Sequence, residues 1–357
     1  MKITQQQLQQ AIELLQVLIS TPSISREEGE AADRLQSFIA MGAPFRVDIR
    51  RHINNIWCIS PNFDANRPTL LLDAHIDTVK PVTNWSTPPF TPKIDGDRIA
   101  GLGSNDDGAS LVALLQVFYT LCQSEQKYNI IFLASAEEEV SGKNGIEAVL
   151  PLLPPISCAI VGEPTSMQPA VAEKGLMVLD CTAHGVAGHA ARDNGRNAIY
   201  EAIRDINWLQ SYKFPNSSPL LGDVRMSVTQ INAGTQHNVI PDKCSFVVDV
   251  RSNECYSNSS LLQIIKENVA SDVAARSLRL NSSSIPTTHP LVERAIALGL
   301  TPFGSPTLSN QALLNIPTLK MGPGDSTRSH TANEYILASE IKQGMEIYLK
   351  ILDGLQL

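Results

Sequence analysis

The sequence lacks a membrane-spanning segment and an excess of basic residues. No apolar run reaches the roughly eighteen residues that a transmembrane helix needs. The formal net charge is -8, which argues against nucleic acid or an anionic membrane surface as the main partner. We therefore expect a protein that binds neither.

Cysteine pairs with the spacing of a zinc knuckle are also missing, and we expect no secretory signal. The six cysteines contain no Cys-x-x-Cys, and several lie inside apolar runs, as is typical of reduced core residues. The first twenty residues lack a basic segment and an uninterrupted apolar core; instead, apolar residues recur at helical spacing. We expect a cytoplasmic protein that begins with an amphipathic helix, followed by a second helix at 27–41 and a strand at 45–49.

The size and composition are those of a globular protein with more than one core. At 357 residues the chain exceeds an average domain, so we expect two domains. Hydrophobic residues make up 43% and charged residues 18%, which excludes a largely disordered chain.

An apolar run that ends in a His-x-Asp pair lies early in the chain. Residues 70–72 are three leucines, and His75 and Asp77 follow them closely. The pattern predicts a buried central strand that delivers His75 to the carboxyl edge of a sheet, where ligands bind in α/β proteins. Asp77 is placed to accept the other imidazole N–H and to raise the basicity of a metal-ligating His75.

A glycine-rich turn at 101–108 comes next and leads into an apolar helix at about 109–122. Gly-x-Gly before a helix favours a nucleotide site, but that site needs a third glycine where this chain has Asp106. The adjacent Asp107 adds a second carboxylate where a pyrophosphate would lie. The turn therefore favours a cation over an anion, although one of the two acids could simply cap the helix.

Acidic residues also follow two later apolar strands. Residues 129–134 run into Glu137, Glu138 and Glu139, and residues 157–161 run into Glu163. Three consecutive acids usually form a solvated helix face, but directly after a buried strand they project from the same sheet edge as His75. This convergence of metal-ligand side chains at four strand ends or turns is improbable by chance.

The pattern of apolar and polar residues changes at about residue 173. Strand-like segments at 176–184, 224–231, 245–251 and about 278–282, with helices at 195–210 and 259–274, give the element order of a ferredoxin-like sandwich. We predict an inserted α+β domain at 173–284 and a catalytic domain formed by 1–172 and 285–357. In the latter, His330 lies in a glycine-rich loop before a final helix at 337–352 and is a second candidate ligand.

Two histidines with several carboxylates and no cysteine suit zinc, with cobalt or manganese as substitutes. There are more carboxylates here than one ion can use. Two ions roughly 3.5–4 Å apart that share a carboxylate would account for the number of candidate ligands. Such a pair would activate water and polarise a carbonyl. A further carboxylate that binds no metal would serve as general base.

An ordered set of motifs along nearly the whole chain resembles the di-zinc deacylase and exopeptidase family. That family includes acetylornithine deacetylase, succinyl-diaminopimelate desuccinylase, aminoacylase and glutamate carboxypeptidase. The motifs are Asp73-Ala74-His75-Ile76-Asp77, Gly103-Ser104-Asn105-Asp106-Asp107, Glu137-Glu138-Glu139, Gly162-Glu163-Pro164-Thr165, Gly185-Val186-Ala187-Gly188-His189, Asn238-Val239-Ile240-Pro241 and Gly322-Pro323-Gly324 through His330.

The resemblance implies a zinc exopeptidase-like α/β domain, whose mixed, mostly parallel sheet carries helices on both faces. It also implies an inserted ferredoxin-like domain that serves as a lid and as the dimerisation surface. It also implies the metal ligands. His75, Asp106 and Glu163 would hold one zinc, and Glu139, His330 and the same Asp106 the other.

Further roles follow from the same resemblance. Glu138 would be the general base and Asp77 the partner of His75. His189, from the inserted domain, would complete the active site of the partner subunit in a homodimer. Substrate contacts are implied at Asn238, Arg251, Gly322 and Gly324. The chain departs from the family pattern at Glu137, where Asp is usual, and at Ala190, where Ser is common; neither removes a group that the mechanism requires.

Within the family the chain looks most like the acetylornithine deacetylase branch. This predicts removal of an acetyl or succinyl group from the α-nitrogen of ornithine, citrulline or a related amino acid, as in arginine biosynthesis. A succinyl-diaminopimelate desuccinylase and a dipeptidase or carboxypeptidase are the alternatives. A non-catalytic peptide-binding relative is a further alternative, which the intact ligand set and Glu138 disfavour.

Overall fold

The computed structural model describes residues 2–192 and 194–357, and the chain divides into two compact units. The first runs to Val171 and resumes at Ile285–Phe303 and Ser309–Leu357; the second comprises Ala172–Ser284 and Gly304–Leu308. The sequence places 304–308 in the catalytic domain instead. These residues belong to the second unit because the backbone of Ser305 accepts the N–H of Lys174 at 3.1 Å.

A mixed sheet forms the centre of the first unit. Its strands, in hydrogen-bonded order, are Asp48–His52, Asn55–Ile59, Asn129–Ser135, Thr69–His75, Cys158–Val161, Thr318–Lys320 and Ala170–Glu173. Thr69–His75 is parallel to both of its neighbours, and Thr318–Lys320 is parallel to Cys158–Val161. The three consecutive parallel pairings bring the carboxyl ends of four strands to one edge.

Alternate residues of the central strand face two different cores, so helices cover both faces of the sheet. Leu70 and Leu72 pack in the core built from the long helices, whereas Leu71 packs in a second core with Ile146 and Val149. The predicted α/β class of this unit, a mixed sheet with helices on both faces, is thereby confirmed. The helices of this unit are Gln5–Ser20, Gly29–Gly42, Gly108–Leu121, Ile146–Val149, Pro290–Ala297 and Ala338–Leu352, with short 3₁₀ turns at Glu138–Val140, Leu150–Leu152, Asn310–Leu313 and Ser326–Arg328.

The helix that follows the glycine-rich turn is the most deeply buried one. All fourteen residues of Gly108–Leu121 are buried, which accounts for its continuous apolar sequence. The first helix, by contrast, is amphipathic, and it begins with a capping box between Thr4 and Gln7. A separate three-stranded sheet is formed by Tyr335–Leu337, Arg98–Ala100 and Lys93–Asp95.

Two boundaries in this unit differ from the sequence prediction. The helix predicted at 27–41 begins at Gly29, and the strand predicted at 45–49 lies at Asp48–His52. A tight turn determines where that strand ends, because His52 pairs directly with Asn55. Phe45 instead packs its ring against Phe118 and Tyr119.

The second unit contains a four-stranded antiparallel sheet with two helices. Its sheet order is Arg225–Ala233, Lys243–Ser252, Gly175–His184 and Asp272–Ala275, and its helices are Ala198–Ser211 and Asn258–Asn268. The short strands are Gly188–His189, which pairs with Val239–Ile240, and Ser283–Ser284, which pairs with residues 172–173. Strand Phe303–Ser305 crosses the division between the units.

The helix predicted at 259–274 ends early, and the strand predicted at 278–282 lies at Asp272–Ala275. The buried carboxylate of Asp205 accepts the backbone N–H groups of Ala270 and Ser271 at 3.1 and 2.8 Å. It thereby fixes the turn that ends the helix. Among the described residues, no helix is both long and apolar enough to cross a membrane.

Candidate metal centre

Six acidic and histidine side chains meet at the carboxyl edge of the central sheet. His75 is the last residue of its strand, and it lies directly opposite Ser135, the last residue of the neighbouring parallel strand. Glu138 and Glu139 follow that neighbour, and Glu163 follows the strand on the other side. The parallel register therefore brings these residues together.

The hydrogen bonds of His75 determine which nitrogen faces the centre. Its Nδ1 lies 2.9 Å from the backbone oxygen of Asp77, and because a carbonyl can only accept, Nδ1 carries the proton. The other ring nitrogen, Nε2, faces the centre and lies 3.2 Å from a carboxylate oxygen of Asp106. The Asp77 carboxylate, the acceptor that the sequence suggests for Nδ1, is farther away at 3.4 Å.

The Asp77 carboxylate instead supports the neighbouring acidic turn. It accepts the backbone N–H groups of Glu138 and Glu139 at 3.0 and 3.2 Å, and the hydroxyl of Ser25 at 2.7 Å. Burial alone would raise its pKa, but the hydrogen bonds and the charge of His75 lower it below the ordinary value. Asp77 thus ties the end of the His75 strand to the turn that carries both glutamates.

The candidate ligands form two overlapping groups. Ligand atoms of His75, Asp106 and Glu139 lie within 4.8 Å of one another, and those of His75, Glu138 and Glu163 do likewise. His330, from the far end of the chain, adds its Nε2 at 2.9 Å from Glu139. The same nitrogen lies 3.6 Å from Asp106, so Asp106 lies between the two histidines.

The electrostatics of the cluster favour a cation. Burial would lower the pKa of His75, yet hydrogen bonds to Asp106 and Asp77 and the charge of Glu138 raise it well above its ordinary value. The hydrogen bond to Glu139 raises the pKa of His330 to about 9. Both histidines are therefore stabilised as cations by the surrounding carboxylates. A divalent ion bound by the two imidazoles would balance the same carboxylate charges and would displace the imidazole protons.

The donor set fits two divalent cations. It offers imidazole nitrogens and carboxylate oxygens without a thiolate, and the ligand atoms of each group lie within 4.8 Å of one another. Burial, together with the charges of Glu163 and Glu139, raises the pKa of Glu138 well above its ordinary value, although the charge of His75 opposes this. Such close packing of buried carboxylates needs a compensating positive charge.

Asp107 is a residue of this centre to which the sequence assigned no role. It precedes the helix Gly108–Leu121 but makes no side-chain capping hydrogen bond there. One of its carboxylate oxygens instead accepts the backbone N–H of His75 at 3.3 Å. Its other oxygen is buried without a hydrogen-bond partner among the described residues. In the sequence, Asp107 is visible as the second acid of the turn, but a helix-capping residue would give the same pattern.

Glu28 also supports the candidate centre, and no sequence pattern indicates this role. Its side chain is fully buried, and it accepts the backbone N–H of Glu137 at 3.2 Å and the side-chain amide of Asn54 at 2.9 Å. Glu137 itself turns away from the cluster, since its carboxylate accepts the side-chain amide of Asn144 at 2.9 Å. Glu28 thus holds the backbone of the acidic turn in place.

Three predicted site residues lie in the second unit. His189 belongs to the two-residue strand that pairs with Val239–Ile240, and its Nδ1 accepts the N–H of Ala191 at 3.1 Å. The backbone oxygen of Asn238 accepts the N–H of Ala190 at 3.0 Å. Arg251 donates two hydrogen bonds to Asp249, at 2.8 and 3.2 Å. Their roles stay predictions.

The two glycines predicted to contact substrate have close packing partners. A Cβ at Gly322 would lie 2.5 Å from the backbone oxygen of Glu163, so only glycine allows these segments to approach. Gly324 has φ of +90°, and a Cβ there would lie 2.3 Å from the side-chain oxygen of Asn105. Both glycines therefore shape the loops around the candidate metal ligands; a contact with substrate stays a prediction.

Known sequences match this chain along most of its length. The sequence model of the peptidase family M20/M25/M40 matches residues 71–354. Acetylornithine deacetylase of Pectobacterium atrosepticum is 27% identical over 373 residues, which cover 96% of each protein. Succinyl-diaminopimelate desuccinylase of Cereibacter sphaeroides is also 27% identical, over 369 residues that cover 94% of this chain and 96% of that protein.

Solved structures share the fold at lower sequence identity. The aminopeptidase PepT of Bacillus cereus superposes with a TM-score of 0.76 at 18% identity and covers 97% of this chain and 98% of its own. The YxeP protein of Bacillus subtilis, described as a dinuclear metal-binding peptidase of the M20 family, gives 0.73 at 18% identity, with 98% and 100% coverage.

Proposed function

Because the chain belongs to the peptidase family M20/M25/M40, and is therefore an amide hydrolase, we propose that it removes an N-acyl group from an amino acid. The favoured substrates carry an acetyl or succinyl group on the α-nitrogen of ornithine, citrulline or a related amino acid. The observation that carries this proposal is the cluster of His75, Asp106, Glu138, Glu139, Glu163 and His330 at one sheet edge.

Each side chain of the cluster has a proposed role. His75, Asp106 and Glu163 would hold one ion, and Glu139, His330 and Asp106 the other, with zinc as the favoured metal. When bound, the two ions would polarise the amide carbonyl and increase the acidity of water.

Glu138 would act as the general base. Its raised pKa makes this carboxylate a stronger base than an ordinary glutamate. In the proposed reaction Glu138 takes a proton from the attacking water as the oxygen bonds to the carbonyl carbon. It then gives this proton to the nitrogen as the C–N bond breaks, which leaves a carboxylic acid and a free amine. Asp77 would hold both His75 and the Glu138 backbone in register.

The relatives of this chain suggest two candidate substrates. The acetylornithine deacetylase and the succinyl-diaminopimelate desuccinylase match this chain equally, at 27% identity. We therefore keep N-succinyl-diaminopimelate, a substrate that would place the enzyme in lysine rather than arginine biosynthesis, as the second candidate.

We propose that the protein is a homodimer that associates through the second unit. Strand Arg225–Ala233 lies at the edge of the four-stranded sheet, and several large apolar side chains of this unit are exposed, among them Tyr200, Ile203 and Ile231. Tyr200 is 69% exposed, Ile203 44% and Ile231 56%. An open strand edge beside exposed apolar side chains favours pairing with a second copy. His189 would then act across the dimer.

Chelation and substrate profiling test the proposed function. Protein stripped with a chelator should stay folded by circular dichroism but lose turnover, because the ligands extend from the ends of a buried sheet. Zinc or cobalt should restore activity on N-acetyl and N-succinyl amino acids more than on dipeptides. Full activity in a demonstrably metal-free sample, or a preference for dipeptides, would contradict the proposal.

A further inference from the structure

Two loops that are more than two hundred residues apart in sequence hold each other beside the candidate metal centre. The carboxylate of Glu334, only 2% exposed, accepts three backbone N–H groups of the loop that carries Asp106. They come from Gly103 at 3.1 Å, Asn105 at 2.8 Å and Asp106 at 2.9 Å. A buried carboxylate with three N–H donors is a strong anchor.

The contact is reciprocal. The side-chain amide of Asn105 donates to the backbone oxygen of Asp325 at 3.1 Å and to the hydroxyl of Ser329 at 3.3 Å. Its side-chain oxygen accepts the N–H of Asp325 at 3.1 Å. Each loop therefore supplies one side chain that binds the other loop. We call Asn105 and Glu334, with these hydrogen bonds, the clasp.

The two clasped loops also carry two of the candidate ligands. Asp106 directly follows Asn105, and His330 directly follows Ser329. His330 Nε2 lies 3.6 Å from the Asp106 carboxylate. Apart from its contacts with Asp106 and Glu139, the side chain of His330 is 52% exposed, and the loop must maintain its unusual φ of +59°. Its position thus depends on the anchoring of its loop.

The rest of the His330 loop is fastened independently of the clasp. Arg98 and Arg328 both stack on the ring of Tyr335, at 4.2 and 4.5 Å from its centroid. The side chain of Asn333 accepts the N–H and the hydroxyl of Ser86 at 2.8 Å. Loss of the clasp should therefore loosen the loop beside His330 without releasing the whole segment.

We propose that Asn105 and Glu334 are positioning residues that fix the separation of Asp106 and His330 and thereby set the affinity of the second metal ion. This rests on the proposed metal centre. The effect is unequal between the ions because two of the three proposed ligands of the second ion, Asp106 and His330, lie on clasped loops. Only Asp106 does so among the ligands of the first.

The conservative variant Glu334→Gln tests the proposal. It keeps one oxygen for two of the N–H donors but places an amide NH₂ against the third. Asn105→Ala is a second variant, in case the first folds poorly. The matched control is Asp205→Asn, another buried carboxylate with backbone N–H partners, which lies in the second unit.

The measurements are stepwise Zn²⁺ affinities by calorimetry of metal-free protein, together with thermal melting. Wild type should bind two ions. The clasp variants should bind the second ion about 10–100-fold more weakly, the usual effect of removing a residue that supports a metal ligand. The first ion should be affected less. Asp205→Asn should lower the melting temperature while it leaves both affinities unchanged.

The outcomes separate the two proposals. If wild type binds two ions and folded clasp variants bind both as tightly, the clasp has no positioning role. Equal weakening of both ions would indicate a purely structural effect and would also reject the proposal. A wild type that binds no divalent ion would overturn the proposed function and, with it, the clasp.

Discussion

The adjacent residues Glu138 and Glu139 have different proposed roles, and substitution of each by glutamine separates them. The exchange is conservative for the backbone because the N–H groups of both residues, not their side chains, bind the Asp77 carboxylate. Only the chemistry of the carboxylate changes. Glu139 contacts His330 at 2.9 Å, whereas Glu138 lies in the group with His75 and Glu163.

Glu138→Gln should retain both ions and lose most of the turnover. A general base contributes typically about 10²–10⁴-fold, equivalent to about 2.7–5.4 kcal/mol of transition-state stabilisation. KM should change little, since the proton transfer occurs only in the transition state. Glu139→Gln should bind the second ion more weakly, because it removes one of that ion's three proposed protein ligands and breaks the contact with His330.

The assay combines metal content of dialysed protein with kcat at saturating zinc. Glu137→Gln is the matched control from the same turn: its carboxylate binds Asn144 rather than the cluster, so the metal content and kcat should stay near wild type. The reverse pattern, in which Glu138→Gln loses an ion and Glu139→Gln keeps both, would show that the two roles are exchanged. Full turnover of Glu138→Gln would refute its role as base.

Two further predictions concern pH and subunit sharing. In metal-free protein, the bond to Glu139 raises the pKa of His330 from 6.5 to about 9. The stabilisation of the folded protein by the His330–Glu139 pair should be complete below pH 6.5 and should be lost as the pH rises through 9. The melting temperatures of wild type and Glu139→Gln should therefore converge over that range. A constant difference between the two melting temperatures would contradict this prediction. His189→Ala should keep its metals, lose about 10²–10³-fold in kcat, and partly recover when subunits exchange with Glu138→Gln. Heterodimers without recovery would exclude a shared site.

The sequence predicted the architecture because burial leaves a local pattern. Leu70, Leu71 and Leu72 form one run since both faces of their strand are covered, and the polar residues that follow mark where the strand leaves the core. Parallel pairing then places those residues at one edge. The structure brings the candidate ligands together there, while their individual roles stay predictions.

Long-range contacts explain the local errors. The alternating pattern around 45–49 is compatible with a strand, but the pairing of His52 with Asn55 moves the hairpin three residues along the chain. Likewise, the helix Asn258–Asn268 ends at a turn fixed by Asp205, more than sixty residues earlier. Neither constraint is visible within the segment whose boundary it sets.

The residues that support the ligands lacked a sequence signal for a different reason. A metal ligand must be one of a few residue types at a defined strand end, which makes its pattern recognisable. A supporting carboxylate needs only backbone N–H groups, which nearly every residue offers. Glu28 reaches Glu137 across 109 positions and Glu334 reaches Gly103 across 231, and in both cases the partner contributes only its backbone N–H. Any loop that approaches the turn could supply such an acceptor, so its position depends on the fold and not on a motif.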